Sequence, residues 1–154
     1  MGRILPRLIR VSAAAALAAC ATLAACFGRG GTHPNTADIS GAWQYTEAFT
    51  DLAHSISCAD TGTYQMVQNG TTFTGTYVQR GICQTPQGKV SNADEGPVSQ
   101  GQLAGHTLKF VAPNCAYDGS VNADTYDRID GHVVCELRDS THLLSFSGSW
   151  KAIR

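Results

Sequence analysis

Thr63-Tyr64-Gln65-Met66-Val67-Gln68-Asn69-Gly70-Thr71-Thr72-Phe73-Thr74-Gly75-Thr76-Tyr77 decides the fold. Tyr64, Met66 and Gln68 alternate with Thr63, Gln65 and Val67, and a period of two is that of a strand with one face buried. Asn69-Gly70 follows, a pair that tolerates positive φ at both positions of a tight hairpin turn. Phe73, Gly75 and Tyr77 then alternate with threonines, whose β-branched polar side chains suit a solvated sheet face. The stretch therefore reads as a hairpin that buries Tyr64, Met66, Phe73 and Tyr77.

Outward from it, strand patterns recur near residues 40–46, 97–103, 106–112, 115–121, 126–136 and 142–151, separated by short turn signals. Leu108 and Phe110 share one face of theirs, and Leu144, Phe146, Gly148 and Trp150 one face of the last. About eight short strands without a long crossover predict an all-β, antiparallel up-and-down meander, which escapes exposed edges by closing into a small barrel. Only Thr46–Ser57 looks helical: Phe49, Leu52, Ala53 and Ile56 fall at i, i+3, i+4 and i+7, so a short helix or an ordered loop is expected there, capping one mouth.

The chain has 154 residues, 43% hydrophobic and 15% charged, with a formal net charge of −1. That length suits one domain, and the balanced charge argues against a nucleic-acid partner. The amino terminus is different in kind. Arg3, Arg7 and Arg10 precede an uncharged, alanine-rich run from Val11 to Ala25, too short for the ~20 residues of a spanning helix. This is the pattern of an export signal, assigned to residues 1–25.

Leu23-Ala24-Ala25-Cys26 resembles the lipobox of bacterial lipoproteins, and Leu17-Ala18-Ala19-Cys20 is a second copy. The resemblance implies cleavage before the cysteine and a diacylglyceryl group on its sulfur. Two or more acyl chains give stable anchoring where one gives little. Cleavage before Cys26 discards Cys20 and leaves Cys58, Cys83, Cys115 and Cys135, an even set for an oxidising compartment, so Cys26 is favoured as the lipidation site over Cys20. Residues 26–38, with Gly28, Gly30, Gly31, Pro34 and Asn35, read as a lipidated tether, and 39–154 as the barrel domain. Loss of three arginines with the signal leaves 8 Lys and Arg against 12 Asp and Glu, a formal charge of −4. The lipid, rather than surface charge, would then hold the protein at an anionic membrane. The expected address is the bacterial cell envelope, with Phe27-Gly28 lacking an aspartate retention signal and so pointing to the outer membrane.

Four cysteines allow three pairings. A turn at Asn69-Gly70 puts Cys58 opposite Gly81, two places from Cys83, and Cys115 and Cys135 straddle a turn near Asn122–Thr125. Cys58–Cys83 and Cys115–Cys135 are therefore expected, each closing a loop of ~20 residues for about 3 kcal/mol. No C-x-x-C or zinc spacing is present, and no metal or cofactor is expected.

Gly41-Ala42-Trp43 opens the first strand and Gly148-Ser149-Trp150 sits in the last. This resembles the calycin superfamily (lipocalins, fatty-acid-binding proteins and avidins), whose barrels begin with a G-x-W strand. The resemblance implies that tryptophan plugs one barrel end against a basic residue, so Trp43, Trp150 and Arg154, or Lys151, are the candidate plug.

Catalytic patterns are missing. His33, His54, His106, His132 and His142 form no H-x-x-x-H, no serine lies in G-x-S-x-G, and there is no phosphate loop. Asp118, Asp124, Asp127 and Asp130, with Arg128, read as a solvated turn rather than a calcium loop. Glu47 and Arg80 are expected to meet at a barrel mouth. The reading is a binding protein, not an enzyme, holding a small amphipathic ligand among Tyr64, Met66, Phe73, Tyr77, Phe110 and Phe146, with inward Gly75, Gly119 and Gly148 leaving it space. The alternative is a solid barrel whose loops bind an envelope protein. An eight-stranded barrel permits either.

Overall fold

Alternation carries straight into the architecture. The computed structural model describes residues 37–138 and 143–154. Its strands are β1 (Gly41–Asp51), β2 (Ile56–Asn69), β3 (Thr72–Thr85), β4 (Gly88–Ala104), β5 (Thr107–Ala112), β6 (Cys115–Val121), β7 (Arg128–Arg138) and β8 (Leu143–Ile153). Each pairs antiparallel with the next and β8 returns to β1, closing an all-β up-and-down barrel with both cysteine pairs bonded inside it. In β1 the side chains of Trp43, Tyr45, Glu47, Phe49 and Asp51 are buried while Gln44, Thr46, Ala48 and Thr50 are exposed. The expected export signal, both candidate lipidation cysteines, and His33 and His142 lie outside the described residues.

Several expectations change. The segment Thr46–Ser57 holds no helix: β1 runs on to Asp51, a turn covers Leu52–Ser55, and Leu52 is 88% exposed. The apolar spacing there joins unlike positions: Phe49 faces in from β1, Leu52 and Ala53 are exposed in the turn, and Ile56 opens β2 half-buried. The β2–β3 turn centres on Gly70-Thr71, not Asn69-Gly70. Gly70 alone of the two has positive φ (62°), the pattern of a II′ turn with glycine first. That two-residue change of register sets Cys58 directly opposite Cys83. Ala37, within the expected tether, is buried and its N–H donates to Gly105 O.

The inward glycines do not leave space. A Cβ on Gly75 would lie 2.2 Å from Gln65 O and one on Gly148 2.0 Å from Ala48 O. At Gly119 it would come 3.0 Å from the Trp150 ring. These glycines let neighbouring strands and Trp150 approach closely. The middle of the barrel is filled instead: Tyr64 meets Tyr45 stacked at 4.2 Å and Phe110 edge-on at 5.4 Å, and Phe110 stacks on Tyr117 at 4.6 Å.

Trp43 and Arg154 close one end. The Trp43 indole is fully buried, its N–H donates to Ile39 O at 2.9 Å, and the Arg154 guanidinium stands 4.7 Å over its ring. Arg154 also donates to Ser40 O and Asp38 O, tying the entering chain across that end. Trp150 lies elsewhere. It is in register with Glu47 and Gly131 at mid-barrel, within 6.0 Å of Tyr64, 5.6 Å of Phe110 and 5.7 Å of Tyr117. Its place in the last strand, several residues before Arg154, keeps it too far along the barrel to plug the end.

Candidate functional site: a carboxylate-lined cavity between two disulfides

At the opposite end the filling changes. Continuing the inward alternation of β1 past Tyr45 brings Glu47 inside, and continuing that of β2 back from Met66 and Tyr64 brings Gly62, Asp60 and Cys58 inside. Cys58 bonds Cys83 and Cys115 bonds Cys135, so two cross-strand disulfides project into the same end of the barrel. Between them lies a cavity of about 120 Å³, walled by Phe49, Tyr77, Tyr117 and Phe146 on its apolar side and by Glu47, Gln79, Asn92 and Asp94 on its polar side.

Strand lengths explain why space survives here. β4 has 17 residues but β5 has 6, and their pairing begins only at Ser99↔Val111. Among the described residues nothing pairs with Gly88–Val98 on the β5 side, and the β5–β6 turn at Pro113-Asn114 borders the cavity across from Asn92 and Asp94. The wall is notched where the short hairpin stops.

Glu47 and Asp60 are directly opposed across β1 and β2, 5% and 2% exposed respectively. Tyr117 donates its O–H to Glu47 Oε2 at 3.1 Å. Asp60 Oδ2 accepts from Asn92 Nδ2 at 2.5 Å and from Gln79 Nε2 at 3.3 Å, while its Oδ1 has no hydrogen-bond partner. Gln79 Oε1 in turn accepts from Tyr45, and Tyr77 donates to Asp94 Oδ2 at 2.6 Å. Burial pushes Glu47 up to about 7, the neighbouring Asp60 charge adding to the rise and the Tyr117 bond opposing it. Burial likewise raises Asp60, against the bond from Asn92. Tyr45, Tyr64, Tyr77 and Tyr117 are all raised, chiefly by burial, so they remain hydrogen-bond donors at neutral pH.

At the rim the logic reverses. Burial would raise Asp51, but hydrogen bonds from the His54 ring, the His54 N–H and the Ser145 N–H outweigh it and hold the carboxyl below its usual range. Glu47 and Arg80 do not meet. Arg80 points outward from β3 and is exposed, because it follows inward Gln79 by one residue. The aspartates near the β6–β7 turn stay on the surface, Arg128 forming a bidentate pair with Asp130 at 2.6 and 2.7 Å.

Of the residues expected to line a ligand, Tyr77 and Phe146 stand in the cavity wall, whereas Tyr64, Met66, Phe73 and Phe110 pack in the filled interior. Glu47 reached the wall through an unexpected route, and Asp60, Gln79, Asn92 and Asp94 were not anticipated. A signal for them existed. The parity that places Trp43 and Tyr64 inside also places Glu47 and Asp60 inside, provided the strands are carried to their full lengths.

Neither a family model nor a curated protein matches the chain. Among solved structures, an S-type phycobiliprotein lyase from Guillardia theta is similar, with a TM-score of 0.43 and 7% identity over 75% of this chain and 88% of that one. The expectation that this chain is not an enzyme is withdrawn on that finding, since the matched protein is named as a lyase. A likeness this distant carries no further argument about chemistry.

Proposed function

We propose that this is a lipid-anchored protein of the bacterial cell envelope whose barrel holds one small ligand at the disulfide end. The cavity is the observation that carries the reading: it is lined by aromatic rings and the buried Glu47 carboxylate, and stiffened by Cys58–Cys83 and Cys115–Cys135. A few convergent polar groups in an apolar pocket are what fixes the orientation of a small molecule. Its size narrows the expected amphipathic ligand to one with an apolar body near a single ring, since cavities of about 150 Å³ take benzene. The meander closing under Trp43 and Arg154 supports the calycin resemblance, and the lipobox at Leu23–Cys26 supports the anchor.

The test is native mass spectrometry of the protein taken from its own host, with a thermal-shift screen of small aromatic ligands. A co-purifying small molecule, or a shift lost when the cavity is filled by Ala112→Phe, is expected. No bound molecule and no shift would defeat the reading. Palmitate labelling should vanish in Cys26→Ser; labelling that survives there but vanishes in Cys20→Ser would move the anchor. A second reading, an interaction lipoprotein that binds an envelope protein, draws on the filled plug half and on the unpaired β4 edge at Gly88–Val98, which could accept an extended peptide as an added strand.

A further inference from the structure

We infer that the cavity takes a small organic cation, a protonated amine on an apolar body of about one ring, with Glu47 as its direct counter-charge and Asp60 as a second charge behind the wall. The inference rests on the ligand-binding reading above and names the ligand class.

Three carboxylates surround this space, Glu47 and Asp94 in its wall and Asp60 one hydrogen bond behind it through Asn92 and Gln79. Among the described residues that line it there is no lysine, arginine or histidine. Charges taken out of water need a partner, and here the described wall supplies hydrogen-bond donors but no cation. Asp60 makes the deficit concrete. It is 98% buried by its 2% exposure, and its Oδ1 is unpartnered. That oxygen occupies the gap left by Gly81, where a Cβ would stand 1.8 Å from it, on the inner face of β3 between the lining residues Gln79 and Cys83. The same fold that spends large aromatics elsewhere has kept this position empty for a carboxylate.

The rest of the wall selects among cations. No three His, Cys, Asp or Glu side chains among the described residues are grouped as metal ligands, so the donor set suits an ammonium rather than a divalent ion. Tyr77, Tyr117, Phe49 and Phe146 offer ring faces and edges to an apolar body and to the cation itself. A long polyamine would exceed the space, whereas a single ring carrying a one-carbon ammonium arm is near its limit.

Isothermal titration of the oxidised full chain near pH 8 with benzylammonium, benzyl alcohol and benzoate tests the inference. These probes share a ring and differ in charge. Benzylammonium is expected to bind at least about tenfold more tightly than benzyl alcohol, benzoate not at all, and Glu47→Gln to weaken benzylammonium by about tenfold or more. Asp60→Asn is the second variant and should weaken it less, in the same direction. Benzyl alcohol or benzoate binding as well as benzylammonium would overturn the cation inference and leave the cavity reading standing. Binding unchanged in both folded variants would also overturn it. If no probe of any charge bound, both would fall.

Discussion

The barrel's two ends are made of one alternating pattern and finished in opposite ways. At the plug end Trp43 is sealed beneath Arg154, and Ile39 and Ala37 are drawn in beside it. At the cavity end the equivalent inward positions carry Glu47, Asp60 and two disulfides around free volume. Aromatic rings fill a small barrel completely and need no further staple. Carboxylates and a notched wall cannot, and the half that gives up packing is the half that is cross-linked. The placement of both disulfides at one end thus follows from what that end lacks.

The contrast can be broken most severely at the plug. Trp43→Ala removes a fully buried indole and should cost about 3–5 kcal/mol, read as the change in unfolding free energy in urea. A cost near zero would mean that the plug is dispensable. Replacing Cys58 and Cys83 together by serine should cost about 3 kcal/mol, because their bond closes a separation of 25 residues in the unfolded chain. Its signature is local: amide exchange should quicken around Asn92 and Gln79 and stay slow at Trp43.

Glu47 gives the contrast a pH dependence. Its carboxyl is raised from 4.5 to about 7 in the fold. Below 4.5 both states are protonated and the group costs nothing, whereas as pH rises through 7 the fold must ionise a buried acid that the unfolded chain ionises freely. Stability should therefore fall as pH climbs between those values. Glu47→Gln should remove that fall and gain about 2–3 kcal/mol near pH 8, with little gain near pH 4. Equal urea midpoints for the two proteins at the higher pH would refute the assignment. The smallest effect is expected from Arg154→Ala, about 1 kcal/mol, since its cation–π contact and carbonyl bonds lie at the surface of the plug.

Much of this was legible in the sequence, for physical reasons that also explain what was not. Tyr64, Met66, Phe73 and Tyr77 announce a buried face because apolar and polar residues strictly alternate there, and hairpin proximity pairs the cysteines even when the turn is set two residues off. The G-x-W at Gly41–Trp43 marked the plug. The polar site is hidden because Glu47 and Asp60 break the apolar pattern at the points where they matter, and apolar alternation alone stops short of them. The same break let Phe49, Leu52, Ala53 and Ile56 pass for a helix. Strand parity, extended through a carboxylate, holds where hydrophobicity fails. The glycines misled in the other direction, since Gly75 and Gly148 serve strand approach rather than ligand space.

On the proposed reading the disulfide end binds and the Trp43 end only seals. Amide chemical-shift mapping of the full chain during a benzylammonium titration tests it most directly. Saturable shifts are expected at Asn92, Asp94, Asn114 and Cys115, and none at Ile39, Trp43 or Gly105. Shifts centred on the plug end, or none at either end, would contradict it.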